Sequence, residues 1–506
     1  MYSNVQQNSS KLSRRSFLRT GAITAAIAPS LSAWSEPAVK TVAASTKNAD
    51  YLAAAIGAAA WIRSAQRTTP DGIQWLPEPD HPEKLTTISP ANGIYSGGAG
   101  VVLFFLELAA ATGDTAYLED AKKGADVLAS TWNNESTGHE RIPGLGFSFY
   151  NGLAGVAFAL IETWKATGVE RYKQAAIKAT EYLAASAKTT PNGLAWSVSP
   201  GIIGDGSVIL YLLFASEALQ DDHYAKTAAL AGERLLAAGR PYPGGGLSWK
   251  GVPPAAIGLP EETYFPNFEL GTAGVSYVLA RLYEKTRDKR FLYAATQGAL
   301  HLQTIATQKG TAAFISYRYP DLQDVYYLGF CHGPAGSARL FYQLYKVTND
   351  PSYLDWTERL ARGVISSEVP ENQTPGLWNV VCQCCGTAGL TSFFLGLWAA
   401  TGKQEYYAYA NKLAEHTLSH QTNFDGKGAR WYQAWTRVKP ADVTAETGYS
   451  IGAAGIGVAL VQAELAQKGK YKTIAFPDNP FPTSRTESAS ASVQYEQAAQ
   501  SLPFEP

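Results

Sequence analysis

SGGAGVVLFFLELAAATGD, residues 96–114, is not unique in this chain. NGLAGVAFALIETWKATGV (151–169), LGTAGVSYVLARLYEKTRD (270–288), HGPAGSARLFYQLYKVTND (332–350) and CGTAGLTSFFLGLWAATGK (385–403) carry the same order of residue types, as do 203–221 and 451–469. Their first glycines are Gly97, Gly152, Gly204, Gly271, Gly333, Gly386 and Gly452, spaced 52 to 67 residues apart. A period of that length fits a helical hairpin plus a loop. Within a unit, G-x-x-G opens an apolar helix that runs to a TGD- or TND-like stop, where Gly or Asn can end it in a left-handed turn. A second helix follows in the first six units, charged on one face and apolar on the other, as in 114–130 and 405–419. The first helix of each pair is therefore expected to be buried and the second to face solvent.

Seven such units predict an all-α fold, an α/α barrel or toroid of seven helical hairpins with G-x-x-G at the inner-helix starts. Neither end of the array has a polar capping repeat, which favours a closed ring over an open solenoid. Closure makes residues 40–475 one domain, although 506 residues alone would suggest two or three. The glycines have a plain explanation in tight turns and close helix approach. Even so, they bring seven helix starts, with their unpaired N–H groups, to one end of the barrel.

The flanks differ in composition. SRRSFLRTGAITAAIAPSLSA pairs Arg14 with Arg15 ahead of a short apolar run and a small-residue cleavage site near Ala33. This predicts a twin-arginine export signal over residues 1–33 and a periplasmic or otherwise exported protein with no membrane span in the mature chain. Residues 476–506, rich in Pro, Ser, Ala and Gln, read as a disordered tail. A net charge of −1 removes the electrostatic case for nucleic acid. With 12 Trp and 28 Tyr, the chain has the aromatic stock for a peptide or sugar cleft as well as a core.

All four cysteines fall in two units. Cys331 lies two residues before Gly333, and Cys384 and Cys385 lie two and one before Gly386. If the repeat makes those offsets equivalent, three thiols meet at one rim. A disulfide is the usual fate of cysteines in exported proteins, but a Cys331–Cys384 bridge leaves Cys385 idle. Packed free thiols are a second reading. The third is zinc: helix N-termini favour thiolates, and three protein ligands leave an open fourth position. Cys382 has no counterpart in the pattern and reads as dispensable. His332 could replace Cys385 as a ligand, act as an acid or base, or simply be packed. His301, His416 and His420 fall on outer helices and read as solvated.

Seven G-x-x-G hairpins with F-C-H-G-x-x-G in the fifth and C-C-G-T-x-G in the sixth resemble the lanthionine synthetase C-like family, over about residues 90–465. The resemblance implies a zinc cyclase that adds a cysteine thiol to a dehydrated Ser or Thr, with a peptide or small thiol as substrate. It places the family's first zinc cysteine on Cys331, with Phe330 for its tryptophan, and its Cys-His pair on Cys384 and Cys385. The family's proton-exchanging histidine and its aspartate fall on Leu270 and Pro200, which cannot move protons. Glu269, Asp205 and His332 are the nearby replacements. Two alternatives remain: a non-catalytic zinc- or thiol-binding protein, or a carbohydrate-active toroid with Asp205 and Glu269 as its carboxylate pair.

Overall fold

The computed structural model describes residues 49–82, 92–134 and 144–485. The export segment and residues 486–506 lie outside them. Fourteen helices run in chain order through the described residues: α1 (Tyr51–Ser64), α2 (Gly98–Thr112), α3 (Thr115–Thr131), α4 (Leu153–Thr167), α5 (Glu170–Ala185), α6 (Asp205–Ala218) and α7 (Asp222–Ala238). They continue with α8 (Thr272–Thr286), α9 (Lys289–Ile305), α10 (Pro334–Thr348), α11 (Pro351–Ser366), α12 (Thr387–Thr401), α13 (Gln404–Ser419) and α14 (Ala453–Gln467). Only short two-stranded sheets accompany them. No helix among the described residues is long and apolar enough to cross a membrane.

The even-numbered helices are the inner ring. α2 buries every residue from Ala99 to Leu108, as a helix apolar on all sides must. Each inner helix packs against the next, and α14 packs back on α2, so the ring closes. Six outer helices directly follow their inner partners. The seventh comes from the other end of the chain: α1, which carries no G-x-x-G header, packs on α14. That exchange joins the first helix to the last.

The TGD stops do two jobs. Gly113 (φ 72°) and Gly402 (φ 71°) end α2 and α12 in the left-handed region, and Asn349 (φ 58°) does the same for α10. The following Asp114 then caps α3, accepting from the Ala116 N–H at 2.8 Å. The second glycine of G-x-x-G answers to crowding. A Cβ on Gly274, Gly336 or Gly455 would lie 1.8–1.9 Å from the carbonyl oxygen six residues earlier, so the loop folds directly over the first helical turn. In the third unit Ser207 takes that place, and its hydroxyl accepts the Phe149 N–H at 3.0 Å.

The tail boundary read at 476 is too early. Lys472 bridges to Ser484, and the hairpin between them enters the barrel. Phe476 packs on Phe158 of α4 at 5.4 Å between ring centroids, and Phe481 on Tyr342 of α10 at 4.6 Å. Asp478 is buried inside the ring. Composition signals disorder here, yet the interior of a seven-helix ring is large enough to take a folded loop as core.

Candidate metal centre

The repeat register becomes geometry through one relay of backbone hydrogen bonds. Ile203 N–H donates to Glu269 O (3.2 Å), Glu269 N–H to Cys331 O (2.9 Å) and Phe330 N–H to Cys384 O (2.8 Å). Cys384 N–H continues to Ser450 O (2.8 Å), Ser450 N–H to Tyr95 O (2.9 Å) and Tyr95 N–H to Tyr150 O (2.8 Å). Most of these residues lie two before the first glycine of their unit. Equivalent positions in sequence thus become neighbours around a rim, which brings Glu269, Cys331, Cys384 and Tyr95 into one group.

At that centre the sulfurs of Cys331, Cys384 and Cys385 lie within 4.8 Å of one another. Cys331 and Cys385 are 3.1 Å apart and Cys385 and Cys384 3.6 Å apart. All four cysteines are free thiols. Sulfurs on a zinc tetrahedron with bonds of ~2.3 Å sit about 3.8 Å apart, so small movements of this trio would seat the ion, and the donor set suits it. Hydrogen bonds from Cys331 and Cys385, and then from the Tyr95 hydroxyl, push the Cys384 thiol well below its ordinary range. Burial pushes Cys331 up, and its contact with Cys331 does the same to Cys385. Of the three, Cys384 is the sulfur its neighbours favour as a thiolate.

His332 and Glu269 stand beside it, grouped with Cys331. Asn267 gives its amide N–H to Tyr317 O at 2.8 Å, which leaves its oxygen facing His332 Nδ1 at 3.0 Å. That network assigns the proton to Nδ1 and leaves the Nε2 lone pair toward Glu269 Oε2, 3.8 Å away. Burial holds the ring neutral, its pKa pushed down to about 4. Glu269 moves the other way, raised well above the carboxylate range by burial and then by the Cys384 thiolate. Phe265, Tyr317 and Tyr327 box the imidazole at 5.0–5.8 Å between ring centroids.

Asp205 is not brought to this group. Its carboxylate accepts from Ser197 N–H (2.7 Å), Ser197 Oγ (2.8 Å) and Trp196 N–H (3.2 Å), and pairs with Arg234. Burial outweighs Arg234 and lifts its pKa to about 6. The carboxylate pair that a sugar hydrolase would need from Asp205 and Glu269 is thus turned toward two different sets of partners. Leu270 is wholly buried, and Pro200 is buried as well.

His301 is not solvated: it is fully buried, 4.2 Å from the Tyr242 ring, because the loop after α7 covers that face of α9. His416 is half-buried, 4.1 Å from the exposed His420 ring. Cys382 lies outside the trio, but its sulfur accepts the Cys385 N–H at 3.4 Å. Sequence reasoning missed Tyr95 and Asn267. Tyr95 carried a usable signal, since it sits two residues before Gly97, the offset of Cys331 and Cys384.

The geometry defines a class, the α/α toroid with thiols gathered at the inner-helix starts. More specifically, residues 90–475 match the family described as lanthionine synthetase C-like protein, and the chain belongs to that family. Its structure is similar to that of nisin cyclase, with a TM-score of 0.53 and 15% identity over 74% of this chain and 89% of that one, a likeness of fold. An α-1,6-mannanase of Salegentibacter sp. gives a TM-score of 0.45 at 14% identity over 82% of this chain and 100% of that one. No curated protein matches the sequence.

Proposed function

We propose that this family member is a zinc-dependent enzyme that adds a thiol to a dehydrated Ser or Thr of a peptide, and that it works after export. The observation that carries the reading is the convergence of the Cys331, Cys384 and Cys385 sulfurs beside Glu269 and His332. Those three cysteines would hold the ion and leave one tetrahedral position for a substrate sulfur. Zinc bound there supplies a Lewis acid that favours the deprotonated form of that sulfur.

The addition takes one proton from the thiol and places one on the peptide Cα. The site therefore needs one group to accept and one to deliver. His332 Nε2 offers the lone pair, and its Asn267 contact at 3.0 Å keeps the tautomer. Glu269, held protonated by burial, delivers to the carbanion side. These two stand in for the proton-moving groups absent at Leu270 and Pro200. Tyr95 steadies the charge on Cys384 through its hydroxyl. Export rests on Arg14 and Arg15 and their apolar flank.

Metal analysis of the purified chain tests the centre: about one zinc per chain is expected, lost in C331A and kept in C382A. Cyclisation of a dehydrated, cysteine-containing peptide tests the chemistry, with E269Q and H332N each slowing it by about a hundredfold while retaining zinc. Zinc retained by C331A, or all three thiols found oxidised, would overturn the metal reading. Zinc without cyclisation of any dehydrated peptide leaves a thiol-binding protein.

A further inference from the structure

The hairpin that enters the barrel ends beneath the metal centre. Asp478 near its tip is 2% exposed. Its Oδ2 accepts the Tyr150 hydroxyl at 2.7 Å, and its Oδ1 lies 3.0 Å from Arg339 Nη1, which also donates to the Asp478 carbonyl at 3.0 Å. Arg281 fixes the preceding residue by donating to Pro477 O at 2.9 Å. Behind it, Phe476 stacks on Tyr449 at 5.1 Å and meets Phe149 at 5.7 Å. Four inner helices or their leading loops therefore hold the tip of one short segment.

Both side chains that grip Asp478 also grip Phe330. The Arg339 guanidinium lies 4.5 Å from the centroid of the Phe330 ring, and the Tyr150 ring is 5.5 Å away on another side. Phe330 precedes Cys331, and its N–H makes the 2.8 Å link to Cys384 O. It also packs against the cluster that contains the cysteines. A buried carboxylate cannot let go of its guanidinium without leaving an unpaired charge in the barrel. Asp478, Arg339 and Tyr150 consequently move together or not at all, and Phe330 is wedged between two of them.

We propose that the C-terminal hairpin is the support of the metal centre from inside the barrel, with Asp478 as a positioning residue that fixes Phe330, and through it Cys331, by way of Arg339 and Tyr150. The proposal rests on the zinc reading above for its first readout.

Asp478→Asn and Tyr150→Phe in the full-length chain test it. Zinc transfer from the loaded protein to a chromogenic chelator is timed by stopped flow, and in metal-free, reduced protein the thiols are timed with Ellman's reagent. Each variant is expected to speed both rates by about tenfold, as loss of a partner behind a metal ligand does. Phe481→Leu, which loosens the hairpin against Tyr342 and Phe393, away from Phe330, lowers the melting temperature but keeps both rates within about twofold of the parent. Should Asp478→Asn fail to fold, Tyr150→Phe decides, because it removes one hydroxyl and leaves the ion pair. Rates unchanged in Tyr150→Phe, or raised equally by Phe481→Leu, overturn the proposal and leave the hairpin as packing alone. If the parent chain holds no zinc, the proposed function fails, while the Ellman rates still decide the support.

Discussion

Gly336→Ala is expected to damage the fold and the centre together. The added Cβ would stand 1.9 Å from the Phe330 carbonyl oxygen and 2.6 Å from Phe268 Cβ, against the 3.0 Å below which real Cβ contacts essentially never fall. The nearer atom is backbone and cannot rotate aside. Residue 330 must therefore retreat by about 1 Å, enough to stretch the 2.8 Å bond from its N–H to Cys384 O out of hydrogen-bonding range and to carry Cys331 off the trio. Overpacking of this kind costs about 3 kcal/mol, and zinc affinity is expected to fall by at least about tenfold. Gly402→Ala is the control: its φ of 71° strains an alanine, but nothing lies within 4 Å of the new atom. About 1 kcal/mol and no change in zinc are expected there. Urea unfolding followed by circular dichroism, with zinc measured by chelator competition, reads both quantities. If Gly336→Ala matches Gly402→Ala in stability and in zinc, the loop does not press on the helix start as described.

Two further outcomes follow from the same geometry and one from the sequence. Burial pushes the His301 pKa down to about 4, so the folded chain binds fewer protons than the unfolded chain between pH 6.5 and 4. His301 therefore costs nothing above pH 6.5 and up to about 3 kcal/mol of stability as pH falls to 4, and His301→Phe should flatten the pH dependence of urea midpoints in that window by a similar amount. Asp205→Ala strands Arg234 and the three donors around Trp196 and Ser197; a loss of about 3 kcal/mol with unchanged zinc and unchanged cyclisation is expected, and a selective loss of cyclisation would place Asp205 back in the chemistry. Changing Arg14 and Arg15 together to Lys should hold the precursor in the cytoplasm, as cell fractionation would show, and normal export of that variant would sink the twin-arginine reading.

The ring was legible because its signal is periodic. Gly97, Gly152, Gly271, Gly333, Gly386 and Gly452 mark helix starts that align on one another, and a shared offset from them says which residues the ring will make neighbours. Cys331, Cys384 and Cys385 were found that way. The same offset pointed to Tyr95, but a tyrosine announces no chemistry until the Cys384 thiol stands beside it. Three features left no aligned mark. Helix α1 precedes the first unit and has no header, so its role as outer partner of α14 is visible only when the ring closes. Asp478 meets Tyr150 across 328 residues of sequence, inside a stretch whose Pro and Ser content imitates disorder. His301 sits on a helix whose pattern promises solvent, and it is the loop bearing Tyr242 that covers it. Local periodicity reports a helix and its faces; it is silent on what a distant loop or tail lays over them.

The two halves of the centre draw on the ring differently. The thiols come from the starts of α10 and α12, adjacent units whose loops share the Phe330–Cys384 bond, so the trio depends on one helix-to-helix interface. Glu269 sits one unit back, where its N–H bonds Cys331 O at 2.9 Å, and His332 follows Cys331 directly within the fifth unit. Under the proposed function, Glu269 and His332 replace the groups missing at Leu270 and Pro200, and both hang from residues tied by backbone to Cys331. A displacement of the rim would then shift the thiols, Glu269 and His332 as one body, preserving their spacing. The rim itself is held by its backbone relay at the edge, by folded-over glycine loops around it and by the Asp478 hairpin from within. In this toroid the inner barrel is a mount for the residues at its mouth.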